Sequence, residues 1–157
     1  MKDKNTSKNI IFIGADHAGF KLKEKIKEIL AENGYDYIDM GNKKYTPGDD
    51  YPDHAKSVAV KVSGTGGRGI LVCDSGVGVC IAANKIHGIR AVNACNTKMA
   101  KMSRLHNDSN ILCLGQDYLE PGQAGEIIKA WLETGFSPEE RHHRRIGKIN
   151  SMERKDQ

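Results

Sequence analysis

Short apolar runs alternate with longer amphipathic stretches along the chain. Five runs predict β-strands, at residues 10–13, 35–40, 70–73, 90–94 and 110–114. The stretches between them have helical spacing and predict helices at 20–33, from 51 to about 62, at 78–86, at 96–105, at 121–134 and from Pro138 onward. No hairpin signal joins two strands, and strands that alternate with helices form parallel sheets. The pattern therefore predicts an α/β fold with a five-stranded parallel sheet covered on both faces.

The 157 residues are predicted to form one domain. The chain has no internal repeat and no apolar run of the ~18 residues that cross a bilayer, so no membrane partner is expected. Residues 1–9 are polar and lack the apolar centre of a signal peptide. We expect a flexible tail at 1–8, a C-terminal helix and tail at 138–157, and a cytoplasmic protein.

The four cysteines show no C-x-x-C spacing, which argues against disulfides and against a zinc site. Cys80, Cys95 and Cys113 lie in or beside apolar segments, and we expect them to be small core residues. Cys73 is different, because it is the last residue of a predicted strand and is followed by a glycine turn.

The segment from residue 69 to residue 85 is the most informative part of the sequence. An apolar strand ends at Cys73, Ser75 follows two residues later, and Gly76 and Gly78 open a helix of small residues. Chemistry in α/β folds lies at the carboxyl ends of parallel strands, and glycines leave backbone N–H groups free to face a ligand oxygen. A thiol beside such an anion cradle can abstract a proton and stabilise the enolate that forms.

Three further polar groups could take part in the same chemistry. Asp16 and His17 follow the first predicted strand, although Asp16 could simply cap the next helix. The glycines around them do not form G-x-G-x-x-G, which argues against NAD. His106 precedes the fifth strand, where a surface or capping role is the alternative. Arg141 and Arg145 are one helical turn apart, so both can reach one anion or both can be solvated.

The formal net charge of +4 is concentrated near the C-terminus, at residues 141–145 and in the tail. No aromatic residues interleave with these basic residues, and no nucleic-acid motif surrounds them. A phosphate pocket and a solvated helical tail are expected here, rather than a nucleic-acid partner.

Five segments occur in order between about residues 10 and 149: GADHAGFKLK at 14–23, DYPD at 50–53, CDSGVGVCIAANK at 73–85, HND at 106–108 and RHHRR at 141–145. Together they resemble the ribose-5-phosphate isomerase B family, which also includes allose-6-phosphate isomerase and the galactose-6-phosphate isomerase subunits. The resemblance implies a three-layer α/β/α sandwich with a Rossmann-like sheet and no metal or cofactor. It also implies a homodimer or homotetramer in which a neighbouring subunit completes each active site.

The resemblance also implies roles for individual residues. Cys73 is similar to the base that moves a proton between C1 and C2 through a cis-enediolate, and some members use a glutamate at the position of Val79 instead. Ser75, with the backbone of Gly76 and Gly78, is similar to the anion hole, and His106 to the residue that opens the sugar ring across the subunit boundary. The remaining matches are substrate contacts: Asp16 and Tyr51 for sugar hydroxyls, His17, Arg141 and Arg145 for the phosphate, and Asn107 beside His106.

Two residues depart from the pattern of that family. Asp74 stands where a glycine is usual, and a carboxylate beside Cys73 is expected to disfavour the thiolate unless it points away or is paired. Asp117 stands where an arginine that helps to hold the phosphate is common. Both changes bear on which sugar phosphate fits.

The leading hypothesis is an isomerase that interconverts ribose 5-phosphate and ribulose 5-phosphate. One alternative is a six-carbon substrate, allose 6-phosphate or galactose 6-phosphate, with the loop at 41–50 setting the pocket length. Another is a protein that binds a sugar phosphate without catalysis, motivated by Asp74 and Asp117. A thiol redox protein is disfavoured, because no second cysteine lies close in sequence to resolve Cys73.

Overall fold

A computed structural model describes residues 10–153 of the chain. The expected tail at 1–8 and the last four residues of the C-terminal tail lie outside these residues. The strands are β1 (Ile11–Ala15), β2 (Tyr37–Asp39), β3 (Arg68–Cys73), β4 (Ala91–Asn93) and β5 (Ile111–Gly115). The helices are α1 (Phe20–Glu32), α2 (Tyr51–Thr65), α3 (Val77–Ala83), α4 (Thr97–Asn107), α5 (Pro121–Glu133) and α6 (Glu140–Met152), and a short 3₁₀ turn at His17–Gly19 precedes α1.

The five strands form one parallel sheet in the order β2-β1-β3-β5-β4. One face is covered by a core cluster to which α1, α4 and α5 contribute, and the other by a cluster built from α2 and α3. The predicted three-layer α/β/α sandwich with a parallel Rossmann-like sheet is therefore confirmed. No helix within residues 10–153 is long and apolar enough to cross a membrane.

Alternation along β3 decides where the candidate base points. Ile70 and Val72 face the layer of α1 and α5, whereas Leu71 and Cys73 face the layer of α2 and α3. Successive side chains of a strand point to opposite faces of the sheet. The thiol of Cys73 therefore lies on the side from which α2 and α3 approach the end of the sheet.

Several element boundaries differ from the prediction, each for a local reason. α2 continues to Thr65, beyond its predicted end near residue 62, and stops where Gly66 adopts a φ of +69°. α3 ends at Ala83, because the side chain of Asn84 binds the carbonyl of Cys80 and both backbone polar groups of Ala91. These bonds tie the end of α3 to the start of β4.

α4 is two residues longer than predicted, so His106 lies in its last turn and not in the following loop. Asp108 ends this helix in the left-handed region, with a φ of +45°. Nη1 of Arg104 donates to Oδ1 of Asp108 at 2.7 Å and also to the carbonyl of Ser109. This pairing extends the helix past the point where its apolar periodicity stops.

The expectation for the cysteines was right for Cys113, which is fully buried, and wrong for Cys95, which is exposed. Cys95 follows β4, where the chain leaves the sheet before α4 begins. Cys80 is half-buried against the core between the sheet and the layer of α2 and α3. All four thiols are free.

Candidate active site

Most of the predicted site residues lie at the carboxyl edge of the sheet. β1 ends at Ala15, directly before Asp16 and His17, and β3 ends at Cys73. Ala15 is in register with Val72, so the two strand ends lie side by side. α/β folds bind ligands at this edge. We call the predicted residues that lie here the carboxyl-edge group: Asp16, His17, Tyr51, Cys73, Ser75, Gly76 and Gly78.

A tight turn holds the thiol of Cys73 against the start of α3. Sγ accepts a hydrogen bond from the N–H of Gly76 at 3.1 Å, and the residue is buried. Gly76 has a φ of +78°, and a Cβ at this position would lie 2.6 Å from Oδ1 of Asn93. Both facts restrict position 76 to glycine. The turn therefore fixes the sulfur at the start of α3 with a backbone N–H directed at it.

The rest of the predicted anion cradle is formed by the same turn. Oγ of Ser75 accepts from the N–H of Val77 at 3.3 Å, and the carbonyl of Ser75 accepts from Nδ2 of Asn93 at 3.2 Å. The N–H of Gly76 is already used by Cys73. An anion bound here would therefore share the donor of Gly76 with the sulfur, or take it from the sulfur.

Asp74 lies beside Cys73 but turns to the backbone. Its Oδ1 accepts from the N–H of Ser75 at 2.6 Å, and the residue is exposed. From the sequence, the Asp74 carboxylate was expected either to disfavour the Cys73 thiolate or to point away or be paired. In the structure it is hydrogen-bonded to the backbone N–H of Ser75.

Asp16 is buried between the ends of β1 and β3. Its Oδ1 accepts from the N–H of Gly19 at 3.0 Å, which is the capping role considered from the sequence. Burial raises the pKa of Asp16, and the negative charges of Asp49 and Asp74 add to this rise. A Cβ at Gly19 would lie 2.5 Å from the backbone of Val72, so the capped turn is pressed directly onto β3. Asp16 is thus held next to Cys73 with a carboxyl group that accepts a proton more readily than usual.

His17 is paired with a carboxylate that the sequence analysis did not single out. Its Nδ1 lies 2.8 Å from Oδ1 of Asp49, and Nε2 of His54 lies 2.8 Å from Oδ2 of the same residue. The hydrogen bond to Asp49 raises the pKa of His17. No periodic pattern marks Asp49, which lies in the irregular loop at 41–50. The one sequence feature that points to Asp49 is its position directly before residues 50–53, one of the five segments that resemble the isomerase family.

Tyr51 begins α2 and lies over the start of α3. A Cβ at Gly78 would lie 2.8 Å from Cζ and 2.9 Å from Cε2 of Tyr51. The absence of a side chain at position 78 therefore lets the phenol ring lie against the backbone of α3. Because Tyr51 remains exposed, its ring can contact a ligand at the carboxyl edge.

The other predicted residues form a second group. His106 and Asn107 end α4, and Arg141 and Arg145 lie on α6. The imidazole of His106 stacks on that of His142 with ring centroids 4.5 Å apart. We call His106, Asn107, Arg141 and Arg145 the amino-edge group.

The two groups lie at opposite edges of the sheet. α4 starts just after the carboxyl end of β4 and runs back for 11 residues, about 16 Å, before β5 begins at Ile111. The position of Asn110 confirms this direction, because its carbonyl accepts from Gly69 near the start of β3. The chain thus brings the carboxyl-edge group together and keeps it apart from His106.

Asp117 lies at the carboxyl edge, immediately after β5. Its N–H donates to the carbonyl of Asp74 at 2.9 Å, and its side chain is exposed. The neighbouring Gln116 accepts from the N–H of Leu22 through Oε1 at 2.9 Å, which caps the start of α1. Two carboxylates, Asp74 and Asp117, therefore border the same end of the sheet. Residues 10–153 contain no group of three or more His, Cys, Asp or Glu side chains arranged to hold a metal ion.

Comparison with known proteins identifies the family. A family model described as Ribose/Galactose Isomerase matches residues 11–149. The chain belongs to this family. A Bacillus subtilis protein named "Putative sugar phosphate isomerase YwlF" is 47% identical over 147 residues, with 93% of this chain and 98% of the relative covered. Ribose-5-phosphate isomerase B of Escherichia coli is 41% identical over 146 residues, with 92% and 97% covered.

Solved structures agree with this assignment. Ribose-5-phosphate isomerase B from Mycoplasma genitalium, determined with bound ribulose 5-phosphate, superposes with a TM-score of 0.89 at 38% identity. The match covers 94% of this chain and 97% of that one. By family, this chain is a sugar-phosphate isomerase. The resemblance inferred from the five sequence segments is therefore confirmed.

Proposed function

We propose that this isomerase interconverts ribose 5-phosphate and ribulose 5-phosphate, with Cys73 as the base. The observation that carries the proposal is the turn at the end of β3, in which Sγ of Cys73 lies 3.1 Å from the N–H of Gly76 and Oγ of Ser75 lies in the same turn. The relatives named for ribose-5-phosphate isomerase B support the choice of a five-carbon substrate.

The chemistry follows from these positions. The Cys73 thiolate takes the proton from C2 of the open-chain aldose, and the electron pair of that C–H bond forms the C1–C2 double bond of a cis-enediolate. Ser75 and the backbone of Gly76 and Gly78 stabilise the oxygen that carries the developing charge. The thiol then returns the proton to C1, while the hydroxyl proton of O2 passes to O1, so that O2 becomes the ketone oxygen and O1 a hydroxyl. No electrons leave the substrate, so the step needs no oxidant and no cofactor.

Other residues hold the substrate for this step. Asp16 and Tyr51 bind the sugar hydroxyls, and His17 binds the phosphate. Asp16 is suited to exchange a proton with a hydroxyl, because burial raises the pKa of its carboxyl group. His17 is suited to an anion, because the hydrogen bond to Asp49 favours its positive form.

A second copy of the chain supplies the remaining functions. The amino-edge group lies across the sheet from Cys73, so one chain cannot present His106 and Cys73 to the same sugar. In a symmetric dimer each amino-edge group meets the carboxyl-edge group of the other subunit. His106 then opens the sugar ring, Asn107 contacts the sugar beside it, and Arg141 and Arg145 bind the phosphate.

Exposed apolar side chains support this assembly. Val77 and Ile81 on α3 are 49% and 59% exposed, and Ile149 and Met152 on α6 are 41% and 75% exposed. An open cavity of about 1250 Å³ lies between the segment that follows α3 and the end of α6, and Asn107, Ile149 and Met152 are among the residues that line it. Side chains of this kind are normally covered in the functional assembly.

A six-carbon sugar phosphate is the second candidate, and Asp117 favours it. This exposed carboxylate borders the carboxyl edge where the family resemblance leads one to expect an arginine for the phosphate. The carboxylate of Asp117 repels a phosphate from this part of the edge, and a phosphate bound farther away fits a longer sugar. Allose 6-phosphate and galactose 6-phosphate are the substrates to compare.

The deciding experiment measures isomerisation of ribose 5-phosphate, allose 6-phosphate and galactose 6-phosphate by the purified protein, with Cys73→Ala as the control. We expect turnover of ribose 5-phosphate that is lost in Cys73→Ala while the fold is retained. Undiminished turnover in Cys73→Ala would contradict the role of the thiol. Tight binding of a sugar phosphate without turnover of any of the three would indicate a binding protein.

A further inference from the structure

The carboxylate of Asp49 joins three separate parts of the carboxyl edge. Its Oδ1 accepts from the backbone N–H of His17 at 2.7 Å and lies 2.8 Å from Nδ1 of the same residue. Its Oδ2 lies 2.8 Å from Nε2 of His54 and 2.9 Å from Nδ2 of Asn42. Both carboxylate oxygens are therefore engaged, and the side chain is largely buried, at 13% exposure.

This arrangement fixes the ring of His17 at two points. Because the backbone and the ring of His17 both bind the same oxygen, the ring cannot rotate without losing a contact. Nδ1 faces Asp49, so Nε2 is the ring nitrogen that remains for a ligand. The side chain of His17 is 36% exposed, which leaves this nitrogen accessible. The orientation of His17 is thus set by Asp49 and not by its own turn alone.

The charges around His17 all favour its positive form. Asp49 and Asp16 are the negative groups that act on it, and His54 lies behind Asp49. Burial alone would raise the pKa of Asp49, but the hydrogen bonds from His17 and His54 outweigh burial and lower it. The pair therefore favours the cationic form of His17 on the ligand side, with the counter-charge of Asp49 behind it.

Asp49 also closes the loop at 41–50. The start of this loop is bound to α1, because Nζ of the buried Lys23 donates to the carbonyl of Asn42 at 2.7 Å. Its middle contacts the site, since the ring of Tyr45 meets the edges of His17 and Phe20 with centroids 6.3 and 6.2 Å apart. The bond from Asn42 to Asp49 joins the start of the loop to its end.

We propose that Asp49 is a positioning residue that aims Nε2 of His17 at the phosphate of the sugar substrate and holds the loop at 41–50 as the wall beside it. His54 and Asn42 hold the second oxygen of Asp49 and so prevent the carboxylate from turning toward solvent. This inference rests on the proposed function for the identity of the ligand. The ligand chemistry it requires is a phosphate monoester, for which inorganic phosphate is the simplest probe.

The test compares Asp49→Asn with the wild-type protein, and Asp36→Asn serves as the matched control. Asp36 is an exposed aspartate between α1 and β2, outside the site, so its substitution removes one charge and no contact of His17. For Asp49→Asn we expect a rise of about tenfold in KM and in the inhibition constant of inorganic phosphate, because a charge-assisted hydrogen bond that orders a ligand group is lost. kcat should change less than KM.

A spectroscopic measurement separates positioning from general damage to the fold. The ring nitrogens of His17, observed by ¹⁵N NMR as a function of pH, should titrate at lower pH in Asp49→Asn than in the wild type and in Asp36→Asn. His54→Phe is a second variant that leaves the contact between Asp49 and His17 in place. It should produce a smaller rise in KM and a smaller shift of this titration.

The outcomes distinguish this inference from the proposed function. If His17 titrates as in the wild type and phosphate inhibits Asp49→Asn equally well, Asp49 has no positioning role, whatever sugar is turned over. If none of the three sugar phosphates is isomerised, the proposed function fails, but a shifted titration and weakened binding of inorganic phosphate still support the role of Asp49.

Discussion

The imidazole of His106 lies flat on the imidazole of His142, with ring centroids 4.5 Å apart and ring planes 3° from parallel. His142 is buried, and its Nε2 has no hydrogen-bond partner among residues 10–153. Burial lowers the pKa of His142, and the positive charges of His106 and Arg141 lower it further. The ring beneath His106 is therefore one whose neutral form is favoured.

This stack predicts that the stability of the protein falls in mild acid. The folded-state pKa of His142 is below its unfolded value of 6.5, so its contribution to stability is complete above that pH. This contribution is lost as the pH falls from the pKa of His142 in the unfolded chain toward its lower pKa in the folded protein. In that range the unfolded chain binds a proton that the folded protein does not. His17 acts in the opposite direction, since its raised pKa adds stability as the pH falls.

The variant His142→Phe keeps a flat ring and removes the titration. Urea unfolding at several pH values between about 8 and 5.5 should show a smaller loss of unfolding free energy for His142→Phe than for the wild type. An equal loss in both proteins would contradict the assignment. His17→Phe serves as the control of opposite sign, because its loss of stability in acid should exceed that of the wild type.

His142 could have been found from the sequence. It lies one helical turn before Ile146, and these two are the buried residues of α6. An apolar residue paired with a histidine at this spacing marks the face of a helix that packs inward. The sequence predicts a phosphate-binding role for the two arginines that flank His142 and predicts none for His142 itself.

Gly78 and Tyr51 give a prediction that separates binding from stability. In Gly78→Ala the new Cβ would lie within 3 Å of the phenol ring, which is the far end of an exposed side chain and can move aside. The backbone of α3 is unaffected, and alanine favours a helix over glycine by up to about 1 kcal/mol. We expect unchanged or slightly higher stability, and a several-fold rise in KM because Tyr51 leaves the sugar.

Gly64→Ala is the matched control for this substitution. Gly64 lies inside α2, and no atom lies within 4 Å of the position of its Cβ. Thermal unfolding should show a similar or larger gain in stability, with unchanged kinetics. A wild-type KM in a folded Gly78→Ala would show that Tyr51 does not contact the substrate.

The turn around Cys73 was predictable, whereas the loop at 41–50 was not. A buried strand that ends in closely spaced glycines largely specifies its own geometry, because Gly76 needs a positive φ and the bonds to Sγ of Cys73 and Oγ of Ser75 are made within three residues. The path of the loop depends on partners that are distant in sequence. Lys23 and His17 hold it from 19 and 32 residues away, and no local pattern reveals such contacts.

The separation of the two groups followed from the topology once the helix boundaries were known. The sequence pattern predicts His106 in a loop between α4 and β5, and the family resemblance implies that it acts across a subunit boundary. The structure puts His106 in the last turn of α4, held by the contacts of Arg104 with Asp108 and Ser109. Register and direction of the strands then decide which residues share an edge.

Reversing the charge at position 117 should strengthen the binding of the phosphate. Asp117 is exposed at the carboxyl edge, beside Asp74, so its carboxylate repels an anionic substrate. We expect Asp117→Arg to lower KM for the sugar phosphate several-fold and Asp117→Asn to lower it by less. The gain should shrink as salt is added, because exposed charges are screened. Identical KM values for the wild type and both variants at low ionic strength would exclude an effect of this residue on the phosphate.

The proposed sharing of the active site between two subunits predicts that two inactive variants restore activity when they are combined. Cys73→Ala removes the proposed base from the carboxyl-edge group, and His106→Ala removes the proposed ring-opening residue from the amino-edge group. Each homodimer then carries two defective sites. In a mixed dimer, the intact Cys73 of one chain faces the intact His106 of the other, and the second site carries both defects.

Random mixing fixes the size of the effect. Half of the dimers in an equal mixture are mixed, and each has one intact site of two, so about a quarter of the wild-type activity should return. The subunits are exchanged by unfolding and refolding the two variants together, and activity on ribose 5-phosphate is then measured. Combining Cys73→Ala with Ser75→Ala is the matched control. Both residues belong to the carboxyl-edge group of the same chain, so each site of a mixed dimer still lacks either Cys73 or Ser75. Recovery in the first mixture and none in the second requires a site built from two chains, whereas no recovery in either would place the complete site within one chain.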